Sequence, residues 1–227
     1  MYWNIPLATI IKKRLFIGVN GITAQPFFRF LYKRTNLRLM NKETLRKIYK
    51  EKRAAITAAQ KSKMEDLILI QFQKLNIEIP TLIMTYAPIE KMNEFDPQLI
   101  TDYCYFKNPN QILFYPVVHP SSADMISVVV SDDTVFELNK FGIPQPIDTM
   151  PMFPEEIELI FVPLLTFDLN GHRVGYGKGY YDRFLKQCTK AIKIGFSFFE
   201  PEQVIEGTNH NDVKLDYCIS PENIYSF

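Results

Sequence analysis

Between Phe161 and Leu185 the chain reads FVPLLTFDLNGHRVGYGKGYYDRFL: an apolar run, a turn, glycines at 175, 177 and 179, and then an aromatic segment. A strand can lead into such a loop and a helix can leave it, but between them only bare backbone is provided. Glycine at alternate positions means main chain that adopts conformations a side chain would forbid, or that lies close against a bound group. Lys178 stands among the glycines. A loop that carries a cation and enters a helix whose first amides lack internal partners is a place where phosphate oxygens can be held, so the stretch reads as a nucleotide-phosphate site. Spacing alone leaves a second reading open, a tight turn packed under aromatics. The chain meets neither the Walker loop nor the dinucleotide fingerprint, which needs glycine where Tyr180 stands.

The segments around this loop alternate between the two periodicities. Leu45, Ile48, Tyr49 and Ile56 recur at helical spacing, with Lys42, Arg46, Lys50 and Arg53 along another face, a basic stripe that reads either as a solvated surface or as a helix start reaching a polyphosphate. Thr57 and Gln60 form a capping-box pattern that opens a second helix through Leu75. Residues 81–87, 112–117, 125–130, 157–165, 191–196 and 217–220 read as strands. Asp96 and Pro97 supply an N-cap and first-turn proline for a helix to about Phe106. Four prolines between Asn139 and Pro154 predict a surface loop without regular structure. Asp168, Asn170 and Gly171 mark a hairpin turn, and a helix is expected from Gly179 to about Thr189. Strands alternating with helices predict a single α/β domain with a mostly parallel central sheet flanked by helices. Ligands are then expected at the carboxyl ends of strands, beside the glycine loop.

Composition narrows the function classes. With 227 residues, 47% of them hydrophobic and 22% charged, the chain has the make-up of an ordinary globular protein with one sizeable core. No apolar run approaches a membrane span. Cys104, Cys188 and Cys218 lie far apart, as do His119, His172 and His210, which argues against a disulfide framework or a Cys/His metal site and suits a reducing, cytoplasmic compartment. Residues 1–40 carry seven Lys or Arg and no acid, while the rest is mildly acidic, so overall charge gives no case for nucleic-acid binding. This basic extension matches neither a secretory signal nor a serine-rich transit peptide. It is expected to be poorly packed or to reflect a mistaken start upstream of Met40, with the single folded domain in 41–227.

Asp182 falls in the first turn of the helix after the glycines, where a carboxylate is either a partner of the helix dipole or, with a triphosphate in the loop, a magnesium ligand. Asn211, Asp212, Lys214 and Asp216 form a second polar cluster that spacing alone reads as a turn.

The run from Phe161 to Arg183, together with KETLR at Lys42 to Arg46, NEFDP at Asn93 to Pro97, GIPQP at Gly142 to Pro146 and NDVKLD at Asn211 to Asp216, resembles the 5-formyltetrahydrofolate cyclo-ligase (5,10-methenyltetrahydrofolate synthetase) family. The resemblance spans residues 41 to 222 and leaves 1 to 40 without a counterpart. It implies a fold similar to the ribose-phosphate isomerase and CoA-transferase group. It also implies an ATP- and magnesium-dependent cyclisation of 5-formyltetrahydrofolate to 5,10-methenyltetrahydrofolate, in which the formyl oxygen takes the γ-phosphate and N10 closes the ring. By match to the family's motifs, Lys42 and Arg46 would hold ATP phosphates, together with Arg173, Val174 and the loop from Gly175 through Tyr176, Gly177, Lys178, Gly179 and Tyr180 to Tyr181. Lys178, Arg173 and Tyr180 are the candidates for a catalytic part. Asp182 and Asp212 would carry Mg2+. Glu94 would bind the pterin, with Tyr176 and Tyr180 bordering it and Glu90 as a competitor. The implied partners are ATP and 5-formyltetrahydrofolate, without nucleic acid or membrane, on a monomer or weak homodimer. Two other classes remain as alternatives: an ATP-independent sugar-phosphate isomerase of similar fold, and a non-enzymatic folate- or RNA-binding protein that uses the basic arm, whose binding would be strongly salt-dependent.

Overall fold

The computed structural model describes residues 40–118, 124–139, 142–147 and 149–227. The expected extension therefore lies outside the described residues, except for Met40, which pairs with Ile205 in a short parallel ladder. That ladder joins β1 (Met40–Asn41) to β12 (Ile205–Glu206).

Eight strands form the central sheet. In chain order they are β2 (Leu82–Met84), β3 (Ile112–Val118), β4 (Met125–Val130), β7 (Pro151–Met152), β8 (Leu159–Val162), β11 (Ile192–Phe196), β13 (Tyr217–Ile219) and β14 (Ile224–Ser226). Their order across the sheet is β14-β13-β11-β8-β2-β3-β4-β7. The inner run from β13 to β3 is parallel, and antiparallel pairings close both edges. The mostly parallel sheet expected from the alternating segments is thus present, with a rim built differently.

Strand β8 shows why the sheet takes this form. All four of its residues are buried, and successive side chains point to opposite faces of a strand. Ile160 and Val162 enter one core cluster while Leu159 and Phe161 enter the other. A strand that is apolar on both sides must be covered on both sides. On one face α2 (Ala58–Leu75) contributes Ile68 and Phe72, and α3 (Gln98–Lys107) contributes Ile100 and Cys104. On the other, α4 (Tyr180–Leu185) contributes Phe184 and Leu185. Helix α1 (Lys42–Ala54) packs Leu45 and Tyr49 into a third cluster with Leu165, Val174 and Ile205. The capping box that separates α1 from α2 is formed at Thr57 and Gln60 as expected.

Three local expectations need correction. The proline-rich segment is not without regular structure. β6 (Pro144–Pro146) pairs with β5 (Phe136–Leu138) in a two-stranded ladder, and β7 is the last strand of the main sheet. Proline lacks a donor, so it is tolerated where one side of the strand needs none, as at these edges. Helix α3 begins at Gln98, with Pro97 at the cap position. Asp96, one residue earlier, still accepts the Gln98 N–H at 3.0 Å. Helix α4 ends at Leu185 instead of near Thr189, because the chain must turn at once to bring Ile192 alongside Leu159 in the sheet.

Candidate active site

A cavity of about 580 Å³ opens where β2 and β8 end, lined there by Tyr86, Ala87 and Pro163 and on other sides by α1, the glycine loop and α4. Its place at the carboxyl ends of parallel strands is the one that sheet geometry favours.

One wall is built by helix α1. Asn41 caps it by accepting the Thr44 N–H at 2.9 Å, which fixes the register that turns Leu45 and Tyr49 inward. Lys42 and Arg46 then face the cavity. Arg46 donates from Nε to the Gly175 carbonyl at 3.0 Å. Lys42 Nζ lies 2.5 Å from Asp212 Oδ1. The basic stripe is thus no simple solvated surface, and its last member, Arg53, is buried.

The glycine loop forms the opposite wall. It is launched by the hairpin of β9 (Thr166–Phe167) and β10 (Arg173–Val174). The buried Asp168 carboxylate locks that turn by accepting from the N–H groups of Asn170, His172 and Ile205 at 2.9–3.0 Å. Alternation along β10 sends Arg173 toward the cavity and Val174 into the core beneath. Val174, expected among the ATP-binding residues, therefore does not line the cavity. Gly177 and Gly179 have φ of +89° and +69°, which L side chains rarely adopt. A side chain at Gly175 would meet no protein atom within 4 Å, so that backbone is open to the cavity. Lys178 is exposed at the rim.

At the base of the loop, Arg173 donates to Asp182 Oδ1 at 2.7 Å and to the Val213 carbonyl. Asp182 Oδ1 also accepts the Val213 N–H at 3.2 Å. Burial pushes the Arg173 guanidinium below its ordinary value, and the adjacent Asp182 charge opposes this. Asp212 accepts the Asn209 N–H at 2.7 Å. Burial by itself would raise its carboxyl, but the hydrogen bonds from Lys42 and Asn209 and the nearby cations hold it below the usual range. The two carboxylates that spacing could not connect thus meet at one cavity.

A third group lies deeper. Glu94 is 2% exposed, its Oε1 accepts the Tyr176 hydroxyl at 2.6 Å, and its Oε2 accepts the Ile89 N–H at 2.9 Å. Burial raises its pKa, against the opposing pull of Arg53, Tyr176 and Ile89. Glu90 is exposed and does not line the cavity, so of the two competing glutamates it is Glu94 that lines it. Elsewhere the lining includes the apolar Met92, Pro116, Val118, Met125 and Ile143 beside Lys91, Asn139 and Gln145. Tyr180 borders the space, as does Tyr181, whose buried hydroxyl has no hydrogen-bond partner among the described residues. Arg53 and Tyr86 were missed as site residues by sequence reasoning. The only signal for Arg53 was its spacing of seven from Arg46, which places both on one helix face.

The 5-formyltetrahydrofolate cyclo-ligase family model matches residues 38–221. The chain belongs to this family. The cyclo-ligase of Mycoplasma genitalium is 30% identical over 185 residues, an alignment that covers 80% of this chain and 98% of that one. A solved 5,10-methenyltetrahydrofolate synthetase from Mycoplasma pneumoniae superposes with a TM-score of 0.61 at 26% identity, over 80% of this chain and 99% of the other. The Aquifex aeolicus synthetase superposes with a TM-score of 0.67 over 82% and 92% of the two chains. At 24% identity that likeness speaks to fold alone. The sheet, the glycine loop and the three carboxylates described above are thus parts of a cyclo-ligase family enzyme. Among the described residues no helix is long and apolar enough to cross a membrane.

Proposed function

We propose that the chain converts 5-formyltetrahydrofolate to 5,10-methenyltetrahydrofolate with cleavage of ATP to ADP and phosphate. One observation carries the reading: a single cavity joins two unlike ends. Lys42, Arg46, Arg173 and the open backbone at Gly175 suit a triphosphate. The buried Glu94 carboxylate, with Tyr176 and apolar walls, suits a flat pterin ring that offers N–H donors.

Closing the ring between N5 and N10 expels the formyl oxygen, and oxide is a very poor leaving group. In the proposed sequence that oxygen attacks the γ-phosphorus as ADP departs. N10 then adds to the activated carbon, and phosphate leaves with the oxygen as N10 gives up its proton. Phosphoryl transfer of this kind asks for positioning and charge neutralisation more than for a protein nucleophile, and no nucleophile–base pair is needed. Lys42, Arg46 and the loop amides would grip the phosphates, Lys178 at the rim would follow the terminal group, and Arg173 would meet the charge that develops on it. Glu94 would anchor the pterin, with Tyr176 and Tyr180 at its edges. Because N10 attacks within the same molecule, a preset pterin geometry would lower the barrier by several kcal/mol, up to about 7–11 in ideal cases.

The carboxylates fit a magnesium ion. Asp182 and Asp212 line the same cavity, among the described residues no hydrogen bond reaches Asp182 Oδ2, and magnesium favours one or two carboxylates with phosphate and water oxygens. When bound it would neutralise phosphate charge. Residues 41–227 form the catalytic domain in this reading, a monomer or weak homodimer in a reducing cytoplasm. The buried, unpaired cysteines are in keeping with that compartment.

The test is to mix the protein with ATP, magnesium and 5-formyltetrahydrofolate and follow the absorbance of the methenyl product. Product that forms only with ATP supports the reading. Its absence from well-folded protein, or turnover that persists without nucleotide as an isomerase would show, overturns it.

A further inference from the structure

The phosphate end of the cavity makes no use of Arg53. This residue is 3% exposed, and its guanidinium spans three groups. One nitrogen donates to the Tyr176 hydroxyl at 2.8 Å. The other donates to the Leu164 carbonyl at 3.3 Å and stands 3.6 Å from Glu94 Oε1. The Tyr176 hydroxyl in turn donates a hydrogen bond to that same carboxylate oxygen. The segment carrying Glu94 is tied to the same helix end, since the Asn93 side-chain amide donates to the carbonyls of Arg53 and Ile56, each at 2.9 Å.

We propose that Arg53 is a positioning residue for the folate half of the reaction: it favours the charged form of Glu94 and aims the Tyr176 hydroxyl, so that Glu94 meets the pterin as an acceptor. The proposal rests on the reading of Glu94 as the pterin contact. Each carboxylate oxygen has two lone pairs, so beyond the bonds from Tyr176 and Ile89 each retains capacity to accept from a ligand. Both oxygens act purely as acceptors only while the group is charged, since protonation turns one of them into a donor. Burial works against the charge, and Arg53 is the largest opposing influence. The other ionisable groups that act on Glu94 or are acted on by it are Lys61 on α2, Tyr86 after β2, Tyr176 in the loop and Tyr181 on α4. Among the described residues Arg53 alone brings a cation within ion-pair distance of Glu94. Without it the carboxyl takes up a proton more readily, and the protonated form turns an O–H donor toward the N–H donors of the pterin.

The experiment compares the full-length protein with Arg53→Met, Arg53→Lys and Glu94→Gln, measuring kcat and both KM values from mildly acid to mildly alkaline pH, with thermal unfolding as the check on folding. Arg53→Met is expected to raise KM for 5-formyltetrahydrofolate about ten- to a hundredfold and to leave KM for ATP within about twofold. Its kcat/KM for the folate should climb with pH where the parent is already flat. Arg53→Lys, which keeps the charge, should recover part of the loss, and in the Glu94→Gln background Arg53→Met should add no new pH dependence. A folded Arg53→Met enzyme with the parent's folate KM and pH profile overturns the proposal. So does an equal rise in both KM values with the profile unmoved, the mark of a purely structural role. If Arg53→Met does not fold, Arg53→Lys decides: a selective rise in folate KM supports the proposal, and parent behaviour overturns it. Glu94→Gln separates the two layers. If it leaves folate KM unchanged, the pterin assignment falls and this inference with it. If it raises folate KM while both Arg53 variants do not, the inference alone falls.

Discussion

Arg46 and Arg53 stand about two turns apart on one helix and hold adjoining residues of one loop, Arg46 through the Gly175 carbonyl at 3.0 Å and Arg53 through the Tyr176 hydroxyl at 2.8 Å. Gly175 belongs to the end of the cavity proposed for phosphate, and Tyr176 reaches the Glu94 end. A rigid helix thus sets the distance between the two proposed subsites. A misplacement of reacting atoms by even an ångström costs a large factor in rate, so this spacing is a functional quantity.

The glycines of the loop should differ in what they tolerate. Gly177→Ala places a side chain at φ +89° with its Cβ 3.0 Å from the Arg46 guanidinium carbon. Left-handed backbone costs a residue with a side chain about 1–2 kcal/mol, and displacement of Arg46 adds to this, so ATP KM should rise about tenfold or more. Gly175→Ala meets no protein atom within 4 Å, so its unfolding temperature should match the parent's while ATP KM rises. Steady-state kinetics with thermal melts will separate the two.

Asp182→Asn removes the charge partner of a buried guanidinium. The cost in stability should be about 1–3 kcal/mol, since Asp182 is 30% exposed and water relieves part of it. Urea unfolding measures that loss, and in the assay the same variant should need more magnesium to reach half-maximal rate.

The Asp212 carboxyl is held below its ordinary value in the folded protein. A depressed carboxyl binds its proton less readily when folded, so it contributes stability at pH above about 4, the ordinary aspartate value. That contribution is lost as the pH falls through the lower folded value. Asp212→Asn should therefore flatten stability in this acid window and cost about 1 kcal/mol at neutral pH. Denaturant midpoints across an acid series will show it.

Gly195 lies in β11, where an added Cβ would run into Leu164 and come within 2.8 Å of the Leu215 side chain. Gly195→Ala overpacks this layer and should destabilise the fold by about 1–3 kcal/mol. Both KM values should remain those of the parent, because neither Leu164 nor Leu215 lines the cavity. A shift in either KM would show that strain in this layer is transmitted to the site.

Strand β8 and the capping box at Thr57 were plain in the sequence because local patterns dictate them. An uninterrupted apolar run needs cover on both faces, and Thr57 and Gln60 satisfy each other across a single turn. The edge strands among the prolines were not legible, since pairing with β4 and with β5 is a matter of distant partners. The early end of α4 was likewise hidden, as no glycine or proline marks it.

At the site, the chain by itself marked the stretch of bare backbone, because glycine adopts φ values such as those at 177 and 179 without the steric cost a side chain brings. It also carries the family's motifs, among them KETLR at Lys42 to Arg46 and NDVKLD at Asn211 to Asp216. The tertiary structure decided their company. It brought Asp182, Asp212 and Glu94 to one cavity, turned Val174 away from it, and buried Arg53 against Glu94. The physical reason is that a side chain's burial and its charge partners depend on what packs against it from remote parts of the chain, and spacing along a helix carries no record of that.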